Sequence, residues 1–226
     1  PGGLTLNAST GAITGTPSSL GTFNFDITAT DSSTGTGPYT ATQSYAITVI
    51  DEPPVANNSS LTVAYNAAAT NVPLNITGGA PTSIALGFLP ASGSASVVGT
   101  TITYQPNAGY AGPDSFTYTA TNSGGTSSPA VVSVTVQDPV ITITNGGSLS
   151  GTVGVAYAET FTFNSGAQPW SAYQVTNLPA GVSITGTSAN TVTISGIPTA
   201  AGTFNINVSG TDSSTGNGPY SVGQAF

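Results

Sequence analysis

Residues 114–121 read DSFTYTAT, and the reading of this octet decides the fold. Apolar and polar residues alternate along it, which places one face on a core and the other in water, as a half-buried β-strand requires. Phe, Tyr and Thr are also residues that pack well on a pleated surface. The same alternation recurs in FNFDITAT (23–30), SYAITVI (44–50), TITYQP (101–106), VVSVTVQ (131–137), ETFTFN (159–164), TVTISG (191–196) and TFNINVSG (203–210). Between these runs sit clusters of Gly, Pro, Asn, Asp and Ser at roughly 8–12-residue spacing, the rhythm of an all-β sandwich rather than of strand-helix-strand units. No stretch carries a helical period, so the expected fold is all-β, a linear array of β-sandwich domains.

Composition narrows the chemistry. The 226 residues include no Lys, Arg, His, Cys or Met, and eight carboxylates give a formal net charge of −8. Charged residues are about a quarter of ordinary usage, so a 4% share is a selected feature. Without a basic side chain nothing neutralises phosphate, and nucleic acid and anionic lipid headgroups are excluded as electrostatic partners. With 38% hydrophobic residues the chain can nevertheless bury a core, unlike a disordered segment. No apolar run approaches the roughly 18 residues of a membrane span, and the opening PGGLTLNAST has neither a basic nor an apolar leader region. The missing thiols remove disulfide exchange and cysteine oxidation, which suits an extracellular or cell-surface location.

Two junctions divide the chain. IDEPPVANN (50–58) sets two prolines directly after a strand, and VQDPVITI (136–143) repeats the order of strand, Asp and Pro. Proline stiffens such joints toward an extended form. Cuts there leave units at residues 1–50, 54–137 and 139–226, the middle one large enough for about seven short strands.

The outer units repeat one another. TDSSTGTGPY (30–39) and TDSSTGNGPY (211–220) differ in one letter of ten, Thr36 against Asn217, and the two aspartates, Asp31 and Asp212, stand 181 positions apart. PGGLTLN and GTPSSLGTFNFDITA of the first unit likewise align with PAGVSIT and GIPTAAGTFNINVSG of the third. Self-similarity of this kind predicts a repeat array in which each domain touches mainly its neighbours, with the shared loop joining two paired strands of one repeated domain. Pro1 aligns with Pro179 and Phe226 with Tyr45, so the first unit lacks the counterpart of residues 139–178 and the third lacks that of 46–49. The expectation is that Phe23, Phe25 and Ile27 stand uncovered within residues 1–50. Their completion is expected from a continuous array, or in a second form from strands donated by a neighbouring chain.

With VGVAYAETFTF (153–163), AQPW (167–170), NLPAGVSIT (177–185), SGIPTAAGTF (195–204) and NVSGTDSS (207–214), the third unit resembles the "putative Ig domain" found in many copies in large bacterial surface proteins. The first unit resembles the C-terminal half of the same domain. The middle unit, with PPVANNSSLTV (53–63), GTTITYQPNAGYAGPDSFTYTATN (99–122) and VVSVTVQDP (131–139), is similar to bacterial Ig-like repeats related to cadherin-like adhesin modules. The resemblance implies an Ig-like sandwich fold and a role as spacers in adhesins, autotransporter passengers and filaments.

Candidate sites are few. Asp31 and Asp212 open the repeated loop, where a Ca²⁺ ligand and an Asx turn both fit; Ser-Ser-Thr-Gly offers no second carboxylate, which favours the turn. Asp114 reads as a turn cap at a strand entry. Asp51 with Glu52, and Asp138, occupy the junctions where cadherins hold calcium, but too few carboxylates gather there, and a solvated, proline-stiffened hinge is expected at each. No metal and no cofactor is therefore predicted. Trp170 reads as a core residue at a strand start rather than a sugar-stacking platform. Sequons at Asn7, Asn57, Asn58, Asn75 and Asn207 follow from a composition rich in Asn, Ser and Thr.

Without His, Cys or Lys there is no triad, thiolate, Schiff base or usual zinc set, and the carboxylates lie on separate turns and strands instead of facing one another across a cleft. The sequence thus reads as a non-enzyme. The expected role is structural, an extracellular bacterial fibre whose partners are neighbouring repeats or copies of itself. The alternative is an adhesin module that binds a carbohydrate or a cell-surface protein through its loops.

Overall fold

The alternating runs become strands, except that in TFNINVSG (203–210) only the residues from Asn207 onward are strand. A computed structural model of the chain describes residues 1–226, which form β-structure with no helix. The chain divides into two compact units: Pro1–Val55 with Ile76–Ser83 and Ala120–Ser128, and Ala56–Asn75 with Ile84–Thr119 and Pro129–Phe226.

In the first unit, Gly21–Thr30 and Thr40–Val49 pair antiparallel from Gly21↔Val49 to Thr30↔Thr40, and Leu4–Leu6 pairs with Ile13–Gly15. No residue of 1–50 is buried. Phe23, Phe25 and Ile27 are half-covered and line an open groove of about 600 Å³ with Leu4, Leu6 and Ile13. The hairpin thus exists without a core, held by its ladder and by same-face pairs such as Phe25 on Tyr45, 6.0 Å between ring centres. Farther along this unit, the buried Asn122 donates from Nδ2 to the carbonyl of Glu52 (2.7 Å) and accepts from the Gly124 amide (2.8 Å). Gly124 lies so close to residues 51–53 that a Cβ there would stand 2.1 Å from the Asp51 carbonyl oxygen.

In the second unit, residues 112–118 of the long strand Tyr110–Asn122 pair antiparallel with Ala130–Val136, which pairs parallel with Ser59–Val63. Gly93–Val98, Thr101–Pro106 and Thr70–Asn71 form a further sheet. Alternation puts Phe116, Tyr118, Val132, Val134 and Val136 inward together with Ile102 and Tyr104. Burying Tyr118 needs partners for its hydroxyl, which donates to the carbonyls of Asn57 (2.9 Å) and Asn75 (3.2 Å).

Residues 139–226 build two sheets of their own. One runs Thr142–Asn145, Tyr157–Asn164, Thr191–Gly196, Val182–Thr187, and the other Ser171–Thr176, Asn207–Thr211, Ser221–Ala225. Phe161, Phe163, Val192, Ile194 and Val208 fill the space between them. Trp170 stands immediately before a strand, as expected, is 4% exposed, and packs on Phe163 at 4.8 Å.

Candidate functional site

The repeated loop at residues 212–220 is the most heavily tied polar element of the chain. Asp212 is its hub. The Asp212 amide donates to the Tyr220 carbonyl (2.9 Å), and its carboxylate accepts the amides of Tyr220 (2.7 Å), Ala167 (3.1 Å) and Ser214 (3.2 Å) together with the Ser214 hydroxyl. The group is 3% exposed. Burial works against its charge, but the Ser214 hydroxyl and the Tyr220, Ala167 and Ser214 amides outweigh it and hold the carboxyl below its ordinary value. The Asx turn predicted for Asp212 is present, and it extends eight residues on to Tyr220.

What this loop touches lies about 100 to 150 positions earlier in the chain, in the same compact unit. Thr215–Gly216 pairs parallel with Tyr110 and Ala111 at the start of the long strand, the Thr215 amide donating to the Gly109 carbonyl (2.9 Å) and the Asn217 amide to the Ala111 carbonyl (2.8 Å). The Tyr65 and Ser214 hydroxyls meet at 2.9 Å. Gly216 sits at φ +81°, and a Cβ there would lie 1.9 Å from the Ala111 carbonyl oxygen. Only glycine lets the two backbones approach so closely. On the acceptor side, Asn66 Oδ1 takes the Gly109 amide at 2.8 Å and fixes the turn that presents these carbonyls.

Asp138 closes the joint. The hinge expected at this position is not free, because its carboxylate accepts the Asn217 side-chain amide (3.2 Å) and the Tyr220 hydroxyl. A loop returning some 80 positions later supplies those donors, which no local reading of VQDPVITI contains. Burial, the bond to Asp138 and the charges of Asp138 and Asp212 push the Tyr220 hydroxyl up to about 12.

The other predicted sites lie apart from this one. Asp51 caps only its neighbour, accepting the Glu52 amide (3.0 Å). Asp114 is not a strand-entry cap. It lies inside Tyr110–Asn122, and besides the Ser115 amide it takes the amides of Ala91 (3.0 Å) and Ser92 (3.1 Å) and the Tyr104 hydroxyl (2.9 Å), so it anchors a distant loop. Glu159 also faces inward: it is 4% exposed and receives the Gly146 and Gly147 amides, each at 2.8 Å. Of the sequons, Asn7 closes its own turn onto Ser9 and Thr10, while Asn58 receives the Val131 amide. Sequence reading missed Tyr65, Asn66 and the 109–111 carbonyls, which carry no local signal. The one-letter difference at Asn217 was the available pointer to the joint.

Residues 51–135 match the family described as "Bacterial Ig domain", and residues 1–50 match "Putative Ig domain". No curated protein matches. Among solved structures, the chain is similar to the endo-fucoidan hydrolase MfFcnA4 of glycoside hydrolase family 107, at 18% identity over all of this chain and 36% of that one, with TM-score 0.37. It is also similar to MfFcnA9 of the same family (19% identity, 77% of this chain, 34% of that one, TM-score 0.29). A third is titled a putative membrane anchored protein from Corynebacterium diphtheriae (15% identity, 91% of this chain, 58% of that one, TM-score 0.29). The chain thus spans little more than a third of the hydrolases it matches. The reading of the chain as a non-enzyme is corrected here, since the solved structures it is similar to include endo-fucoidan hydrolases. The missing His, Cys and Lys bear only on the side chains of these 226 residues.

Proposed function

We propose, from the premise that this chain is built of bacterial Ig-like domains, that it is a structural segment of a bacterial surface or secreted protein, an array in which consecutive domains are held at fixed joints. One observation carries this reading. The loop of residues 212–220 is seated on the domain before it by two backbone hydrogen bonds, a Tyr65–Ser214 contact and two bonds to the linker carboxylate Asp138. A flexible tether would leave those groups in water, whereas a spacer must transmit position from one domain to the next. Neighbouring repeats are its partners in this reading.

Electron microscopy of the native assembly tests it. Stalks or filaments of regular thickness support a spacer. Binding of the protein to glycans or cells, with no extended morphology, favours the adhesin reading instead.

A further inference from the structure

The loop at residues 31–39 has the same internal geometry as its copy at 212–220, but it seats on nothing. The Asp31 amide donates to the Tyr39 carbonyl (3.0 Å), and the Asp31 carboxylate accepts the Ser33 amide (3.2 Å), the Ser33 hydroxyl (2.6 Å) and the Tyr39 amide (2.9 Å). These repeat the bonds of Asp212 with Ser214 and Tyr220. Both loops also contain a cis Gly-Pro bond, at Gly37-Pro38 and Gly218-Pro219. Gly35 holds φ +91° where Gly216 holds +81°, and a Cβ on Gly35 would meet nothing within 4 Å. Asp31 and Ser33 are exposed while Asp212 and Ser214 are buried, and Tyr39 is 61% exposed. The amides of Thr34 and Thr36, counterparts of the docked Thr215 and Asn217 amides, bond to no protein acceptor.

We propose that residues 31–39 are a preformed docking element for a second copy of the domain spanning residues 54–137, joined ahead of the first unit as the present copy is joined ahead of the third. All but one of the groups that seat the third loop have equivalents here: Ser33 for the Tyr65 hydroxyl, the Thr34 and Thr36 amides for the carbonyls of Gly109 and Ala111, Gly35 for the close approach, and for the linker aspartate Tyr39, whose hydroxyl meets Thr36 Oγ1 (2.9 Å) meanwhile. Only the Asn217 side-chain bond to Asp138 is missing, because Thr36 stands in its place. The loop holds its docked shape before a partner arrives, so little ordering entropy opposes the contact. The inference depends on the array reading above and adds the occupant of the exposed loop.

Two measurements test it. In the 226-residue chain, Asn217→Thr makes the third loop identical to the first. Hydrogen exchange at the Thr215 amide is expected to remain within about tenfold of the parent, because the backbone bond to Gly109 does not need Asn217. Loss of that protection would show that the first-loop sequence cannot dock, and would overturn the inference whatever the second measurement gives. In a chain with residues 51–178 joined ahead of Pro1, the Thr34 and Thr36 amides are expected to slow at least about 100-fold, approaching Thr215 and Asn217 in the same sample. If Thr215 and Asn217 are protected and Thr34 and Thr36 are not, the inference fails and the array reading stands. If Thr215 and Asn217 exchange freely in the unmodified chain, the fixed joint itself is wrong and both fall.

Discussion

Ten nearly identical residues occupy two environments in one molecule. At 211–220 the loop is packed against Ala167, Tyr65 and Tyr110; at 30–39 it stands in water. Its internal bonds are the same in both places. Local sequence therefore sets the shape of the loop, and burial sets how much each bond is worth, since an amide deprived of its acceptor can turn to water only where water reaches it.

That difference can be broken most forcefully at the glycines. Gly216→Val drives a branched side chain into the Ala111 carbonyl as well as imposing left-handed strain, whereas Gly35→Val imposes the strain alone. A loss of about 3 kcal/mol is expected at the third loop and about 1 kcal/mol at the first. Local unfolding energies from hydrogen exchange measure both, and equal losses would mean that the joint contributes nothing.

Next come the aspartates. Asp212→Ala strands three buried or half-buried amides and should cost about 2–3 kcal/mol in denaturant unfolding, while Asp31→Ala, in an exposed loop whose amides can turn to water, should leave the transition nearly where it was.

pH sharpens the comparison more gently. The Ser33 hydroxyl, then the Tyr39 amide, hold Asp31 below its ordinary 3.8, as the bonds described above hold Asp212. A carboxyl with a lowered folded value stabilises the fold above 3.8 and loses that contribution as pH falls through the lowered value. Protection of Thr215 should thus persist at pH 5 and fade only below about 3.8. Tyr220 works in the opposite sense. Raised from 10.0 to about 12, it favours the joint below pH 10 and the contribution disappears as pH climbs toward 12. Alkaline titration should therefore loosen the loop at residues 212–220.

The smallest expected effect is that of chelation. No group of three or more carboxylates comes together, so EDTA should shift Tm by less than about 1 °C at either loop. A large shift reversed by Ca²⁺ would show that Asp51 and Glu52, or Asp138, hold an ion.

The strands, the repeat and the Asx turns were legible because each follows from neighbours in the chain: period-two alternation in DSFTYTAT, nine matching letters of ten, a carboxylate two residues before an amide. The tasks of Asp138, Asp114 and Glu159 were not, because their partners lie 10 to 82 positions away and could only be paired by folding. Tyr65 is the clearest case, an isolated tyrosine whose role appears only when Ser214 arrives 149 residues later.

By itself, then, the sequence determined β-structure, the absence of basic groups and the internal geometry of a loop written twice. Whether a stretch becomes a strand was decided beyond it. TFNF at 22–25 is extended and paired with residues 45–48, while its near-copy TFNI at 203–206 lies outside any strand and only Ile206 exchanges bonds with Phe226. Alternation gives a segment two faces, but a strand also needs a ladder partner for its amides and carbonyls, and that partner belongs to the tertiary structure.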